Sequence, residues 1–570
     1  MIQAELEIDF KELIIQYQKV LNTQLIETFG SPHEIEKHYE LFFKNSIFEM
    51  DKKAFDKFIE TNLLYKKLNC FEQYQAKVAE LVSNFNFGKS RLIEYNEKKV
   101  VLSYIENNLY QQLRAKISCY KKYDILIGFY TLASYISELS QRIYSLYEFK
   151  DTKIEKHQLK ENEDKILYTV RTFFKESAPQ IGSIIGTDKR ISELLLNIAL
   201  FDDISYGTVD IKKINFADIY VIAYYLLNIL CLKNAILSNL SEENWIEFNH
   251  SGFIISEDIT QKLGEIAENS YLTEGNKVDV YNERLCDIYD YIKGKLKFSP
   301  VDLEKYIFSS NKQVKDYNLS ICVDRHILEE DIKSITGVSD IGAKNMVNNL
   351  LLGHVAKEEI LDTIFSDNKR AFRAPIIQLR ELLLISFPLM VEASRSFRYR
   401  ILKREIINDD KINNLIKRLF DEFDLSKVSL LCDSAGISFK QNWDLAKELK
   451  NVEFTKGISK EVDFAFVVNK VLFIVQLKDK KMRLDTKGIL NERRDALKDI
   501  QKYKNTCEFI VKNLPVVQKS LNEEIVSLKP YFLFTRYNPV IDLEISKGDI
   551  KIMLTDDFLQ GFPEIIIQIK

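Results

Sequence analysis

"VDFAFVVNKVLFIVQLKDKK", Val462 to Lys481, decides how the C-terminal part of this chain folds. Two runs of Val, Phe, Ile and Leu flank Asn469-Lys470, and Asn tolerates the positive φ that a two-residue hairpin turn requires. The spacing therefore predicts paired strands over 462–468 and 471–477. Such continuous apolar strands imply a sheet covered on both faces. The stretch also carries Asp463 near its start, and Gln476 and Lys478 near its end. Strand side chains alternate faces, so Gln476 and Lys478 point the same way. Pairing 468 with 471 puts 463 roughly opposite 476. A carboxylate, an amide and an ammonium then converge at the open end of one hairpin. Taking such groups out of water without partners costs several kcal/mol, so they need one another or a ligand. A hard divalent cation such as Mg²⁺ meets that need with oxygen ligands and retained waters.

Further strands are predicted at "KVSLL" (427–431), "YFLFT" (531–535), "IKIML" (550–554) and "EIIIQI" (564–569). Helices are predicted at "KINNLIKRLFDEF" (411–423), whose apolar residues fall on one face with Asp409 or Asp410 as cap, and at "LNERRDALKDIQKYK" (490–504).

The order of these elements carries a resemblance. An acid at the start of one strand, a turn, an apolar strand ending in Gln-any-Lys, then a helix and a further strand is similar to the PD-(D/E)xK nuclease superfamily. The D…QxK form resembles that of Mrr-like restriction enzymes. The resemblance covers about 401–570 and implies a restriction-endonuclease-like α/β domain with a mixed central sheet. It implies that Asp463 and Gln476 ligate Mg²⁺ or Mn²⁺, that Lys478 assists the attacking water, and that the product is a cut DNA phosphodiester, in restriction or anti-phage defence. Gln476 supplies no charge, and Glu461, two residues from Asp463 on one strand face, is the compensating ligand. The family's acid on the preceding helix falls among Glu405, Asp410 and Asn413, with Glu405 ranked first. Gln501 and Tyr503 also resemble a feature of relatives. The alternative is an inert copy of the fold that serves as a nucleic-acid clamp or an interaction scaffold.

Residues 478–504 hold ten Lys/Arg against five Asp/Glu, although the chain as a whole has a net charge of -4. Phosphate-backbone binding needs such a local patch, and a solvated helix face has the same composition. The candidate nucleic-acid contacts are Lys480, Lys481, Arg483, Arg493, Arg494, Gln501 and Tyr503.

The 570 residues are 46% hydrophobic and 29% charged, a globular composition that allows two to four domains. Residues 1–325 read as a helical region that senses, docks or regulates, with helices such as 54–68 and 123–147 and no fixed-period repeat. Residues 326–400 read as a connector. In it, "ITGVSDIGAKNMVNNLL" (335–351) resembles a helix-hairpin-helix motif, with Asp340 where glycine is usual; the other reading is a packing unit. "PIIQL" and "ELLLI" there suggest a hairpin, and Pro388 a helix start. The expected fold class is therefore multi-domain: a large all-α N-terminal region followed by the α/β domain.

Seven cysteines stand singly, which argues against disulfides and thiolate zinc and fits a cytoplasmic setting. The N-terminus lacks a signal-peptide pattern. "IYVIAYYLLNILCL" (219–232) is read as a buried core helix, since 14 apolar residues are too few to span a bilayer. His33 and His38 lack the glutamate of a zincin helix. No GxxxxGK[ST] is present, so a nucleotide-hydrolysing engine would have to be a separate chain. DNA is the expected partner. A separate protein on the helical region and self-association are also open.

Overall fold

The computed structural model describes residues 70–83, 91–153, 186–209, 215–237, 244–249, 252–256, 285–311, 320–364, 370–402, 404–420, 425–449, 452–454, 457–478, 486–535 and 549–567, with Thr23, Leu68 and Ile541 singly. The expected helix at 54–68 and His33 and His38 lie outside them. The chain divides into two compact units. The first comprises 1–237, 243–256 and 289–407; the second comprises 238–242, 257–288 and 408–570. The connector therefore belongs to the first unit, and the division falls a few residues beyond the expected 400/401.

In chain order the first part contains α1 (Cys70–Ser83), β1 (Arg91–Leu92), α2 (Tyr95–Ser118), α3 (Lys122–Lys153), α4 (186–201), α5 (Phe216–Leu237), β2 (Ile246–Asn249) and β3 (Gly252–Ile255). There follow α6 (Cys286–Leu296), α7 (Pro300–Asn311), β4 (Ile321–Asp324), α8 (Arg325–Thr336), α9 (Asp340–Leu350), β5 (Ile377–Leu379), β6 (Leu382–Ile385) and α10 (Phe387–Leu402). The region is mainly helical but not all-α, because two small sheets run β1-β2-β3 and β4-β6-β5. Their strands have two to four residues, too few for a period-2 pattern to stand out. The β5–β6 hairpin is the one expected from "PIIQL" and "ELLLI", and Pro388 sits in the first turn of α10.

Helix α5 extends beyond the expected 219–232 at both ends and takes in Asp218 and Lys233. At 22 residues it is long and apolar enough to cross a membrane by length and composition. Its most apolar stretch is 72% buried, and α5 packs along α2.

The α8–α9 pair forms as read. Gly337 ends α8 at φ 80°, and the Ser339 side chain caps α9 by accepting from the Gly342 amide. Gly342 is buried against the Lys297 carbonyl, where a Cβ would collide. Asp340 pairs with Lys333 at 2.6 Å. These contacts are those of a packing unit.

The second unit is built on a five-stranded mixed sheet in the order β11-β10-β9-β8-β7. It contains α11 (Asp410–Phe420), α12 (Ser426–Ser434), β7 (Phe439–Asp444), α13 (Leu445–Glu448), β8 (Glu461–Val468), β9 (Val471–Lys478), α14 (Thr486–Lys512), α15 (Leu514–Leu521), β10 (Ser527–Phe534), β11 (Lys551–Leu554) and α16 (Thr555–Ile567). Strands β7, β8 and β9 are antiparallel neighbours, and β10 and β11 continue parallel to β9. The helices between β9 and β10 supply the crossover that a parallel pair needs. One face packs Leu472, Ile474 and Phe532 against Ala496, Ile500, Tyr503 and Ile510 of α14. The other packs Phe464, Phe466, Phe473 and Tyr531 against Val428 and Cys432 of α12 and Phe558 and Phe562 of α16. Both faces are covered, as the apolar strands implied.

Two strand expectations are overturned. Residues 427–431 are helical: Leu425, Val428 and Cys432, spaced three and four apart, bury together. Residues 564–567 belong to α16, whose Phe558 and Phe562 give a helical stripe that the Ile run conceals. Strand β7, "FKQNWD", was missed because an edge strand with several exposed polar residues has no apolar run to announce it.

Within the first unit, Asp188 is fully buried and accepts from the Tyr220 hydroxyl; burial pushes its carboxyl up to about 7. The folded state therefore holds a proton that the unfolded chain releases above about pH 3.9. This contribution to stability is full below that value and is lost as pH rises through about 7. Thermal melts from pH 4 to 8 are expected to show the decline, and Asp188→Asn to flatten it.

Candidate functional site

Asn469 and Lys470 both adopt positive φ, 47° and 65°, and make the two-residue turn that matches strand twist. That turn sets the register, with Val468 opposite Val471 and pairs continuing to Phe464 opposite Val475. The next position would match 463 with 476, and here the regular ladder stops. The Asp463 carboxylate takes over instead. One oxygen accepts from the Gln476 side-chain amide and, at 2.7 Å, from the Leu477 backbone N–H. On the other side, β7 pairs 441 with 464 and 443 with 462 but leaves no 442–463 pair, because Asn442 turns to φ 50°. Asp463 is thus released from the ladder on both flanks.

Gln476 is buried among the residues that face α14, while Asp463 and Lys478 are half-buried. Gln476 and Lys478 fall on the same face by strand alternation. Lys478 is paired with Phe534 of β10, and its carbonyl accepts from the Thr535 N–H at 3.1 Å. The expected meeting of 463 with 476 across the hairpin is therefore present as a direct contact.

The other nominated residues are placed differently. Glu405 lies in the first unit, where its carboxylate approaches Arg373 at 3.5 Å and Arg400 at 3.8 Å. It follows α10 and does not lie on α11, the helix before the sheet. Glu461 is half-buried opposite Asp444. Val462 and Ala465 enter the same apolar cluster, so the alternation slips by one between them, and the rule placing Glu461 on Asp463's face does not carry across. Tyr503 is a core residue: 2% exposed, packed on Phe532, with its hydroxyl donating to the Ile474 carbonyl at 2.7 Å. It is not placed to meet nucleic acid. Gln501 is exposed and donates to Asn505 at 2.9 Å. Arg494 is exposed beside Asp495 at 3.9 Å, and Asp495 also lies 3.7 Å from Lys498. Arg493 lies on α14, with its side chain outside the described set; Lys480, Lys481 and Arg483 lie outside it altogether. Sequence reasoning missed Asn442. An Asn in a polar edge segment is the only signal it left, through its tolerance of positive φ.

Among the described residues, no three His, Cys, Asp or Glu side chains gather to hold a metal ion. The hairpin's own donors are one carboxylate and one amide already in contact. Amide nitrogen and oxygen exchange places by a half-turn, which would set the Gln476 Oε1 beside Asp463. This donor set fits a Mg²⁺ that keeps most of its waters and takes further oxygens from a substrate phosphate, and not a cation caged by protein alone. Asp463 and Gln476 are the residues that would hold it.

No family model matches the chain, and no curated protein or solved structure matches it.

Asp463→Ala leaves the buried Gln476 amide and the Leu477 N–H without their acceptor, an expected loss of about 1–3 kcal/mol in denaturant unfolding. Asp463→Asn retains an acceptor oxygen and is expected to lose less. Tyr503→Phe is expected to cost about 0.5–1.5 kcal/mol in denaturant unfolding, since its hydroxyl serves the Ile474 carbonyl.

Proposed function

We propose that the second unit is a metal-dependent nuclease of the PD-(D/E)xK kind that hydrolyses phosphodiester bonds in DNA. The contact between Asp463 and Gln476 across the open end of the hairpin carries the reading, with Lys478 two residues further on the same strand face. The element order supports it: helix, three antiparallel strands, helix, parallel strand. In this reading Mg²⁺ supplies Lewis-acid activation of water and phosphate. Asp463 anchors the site through its bonds to Gln476 and Leu477. Lys478 presents a cation where negative charge develops on the phosphate, and orients the attacking water. The exposed Arg494 and Lys498 of α14 hold the phosphate backbone nearby. A role in restriction or anti-phage defence follows from the same resemblance.

A second reading rests on one observation: Asp463 already satisfies a backbone N–H and a buried amide, which is how a structural polar residue behaves. Here the fold is an inert clamp.

Supercoiled plasmid incubated with Mg²⁺ or Mn²⁺ separates the two. The nuclease reading expects cutting by the wild type, loss of about 10²-fold or more in Asp463→Asn and Lys478→Ala, and DNA retention within a few-fold. Gln476→Glu, which adds a second carboxylate, is expected to cut at lower Mg²⁺ concentration. Intact plasmid in every lane with unaltered DNA retention assigns the clamp.

A further inference from the structure

Near Asp463, β7 and β8 change face together. Phe439 and Phe464 stack at 4.8 Å on the side of the sheet that meets α12 and α16. The register then pairs 441 with 464 and 443 with 462, with no residue inserted in either strand. Alternation would keep Trp443 on the side of Phe439, and Val462 on the side of Phe464. Both instead enter the cluster that packs on α14. The two strands have therefore turned over as one ribbon, and the pivot falls at 442 and 463.

Asn442 is where the backbone permits this. Its φ of 50° lies in the left-handed region, which Asn tolerates better than most side chains. Its side chain is exposed, so its contribution lies in the backbone. The residues around it hold the ribbon in the turned state. Trp443 is 1% exposed, and its indole N–H has no acceptor among the described residues, so burial of the ring outweighs a lost hydrogen bond. The Leu445 amide donates to the Lys460 carbonyl at 2.8 Å. Lys440, before the pivot, reaches Glu448 of α13, after it, at 2.7 Å. Ser520 of α15 donates to the same carboxylate at 2.6 Å.

The pivot has a consequence on the β9 side. Past 464 and 475 the β8–β9 ladder ends, while Val462 and Glu461 stay paired with β7. The ribbon thus parts from β9, and the Asp463 carboxylate bridges the fork to the Leu477 N–H at 2.7 Å and to the Gln476 amide. In an unbroken strand the Asp463 side chain would stand off the sheet face. Here it lies close enough to the sheet plane to meet a backbone N–H of the next strand.

We propose that Asn442 is the positioning residue for Asp463: its left-handed backbone turns the ribbon over and so aims the carboxylate at the end of β9. The effect on cutting rests on the nuclease reading, whereas the effect on the carboxylate does not.

Asn442→Val tests the idea, since a β-branched residue resists positive φ, and Asn442→Gly, which adopts that φ freely, is the rescue. Asn442→Ala serves if the Val variant does not fold, with smaller shifts in the same direction. The first readout is a double-mutant cycle with Asp463→Ala in denaturant unfolding of the full chain. Asp463→Ala is expected to lower the midpoint in wild type and in Asn442→Gly, and to lower it no further in Asn442→Val. The second readout is plasmid cutting across a Mn²⁺ titration. Asn442→Val is expected to need roughly tenfold more Mn²⁺ and to cut about tenfold more slowly, with Asn442→Gly within a few-fold of wild type. An Asp463→Ala effect of equal size in every background overturns the proposal, whatever the plasmid shows. Cutting by Asn442→Val at the wild-type rate and Mn²⁺ concentration overturns it too. Coupling in the cycle with intact plasmid in every lane, wild type included, supports the positioning and overturns the nuclease reading instead.

Discussion

Two consecutive residues with positive φ govern the second unit. Asn469 and Lys470 allow only a tight turn, and a tight turn permits one register. A slip of one residue would exchange Phe466 and Phe473, stacked 4.8 Å apart on one face, with Ala465 and Ile474 on the other. Both faces are packed, so that exchange would empty two cores at once. The register in turn assigns 463 and 476 to the same level of the hairpin. The polar contact at the open end is thus a product of apolar packing several residues away.

The open end also shows how a sheet accommodates a carboxylate. Ladder pairing stops beside Asp463 on β9, and Asn442 breaks it on β7. A regular ladder would have paired the Leu477 amide with a backbone carbonyl; here a side chain accepts from it. A buried amide group must be satisfied by something. This duty and the proposed catalytic one draw on the same carboxylate, which is why substitution at 463 needs a stability readout beside an activity readout.

Some of this was legible and some was not, for physical reasons. The β8–β9 hairpin, α14 and β10 have long apolar periods, and period is what sequence displays best. The turn was legible because so few residue pairs suit it. The segments at 427–431 and 564–567 misled, because short aliphatic runs suit a helix and a strand equally and only their packing partners decide. Glu405 was ranked ahead of Asp410 and Asn413 as the acid of the preceding helix. The chain, however, changes unit at 407/408, and nothing local in "KREIINDD" marks that change. The slip at Asp463 was invisible, since alternation is read by counting and an irregularity has no letter of its own. Tyr503 was assigned outward by resemblance, while its helical phase with Ala496 and Ile500 pointed inward.

The hydroxyl of Tyr503 reaches the Ile474 carbonyl from the far side of the helix that bears Arg494 and Lys498. It acts as an indexing pin between cylinder and plate. One residue of rotation in a helix sweeps about 100°, so a helix free to roll would scatter its cations around the compass. Pinned to the strand that ends in Gln476 and Lys478, it keeps them at a constant bearing. Any polyanion that tracked along α14 would therefore meet a fixed sequence of charges, aligned to the sheet by this phenol together with the packed Ala496, Ile500 and Ile510.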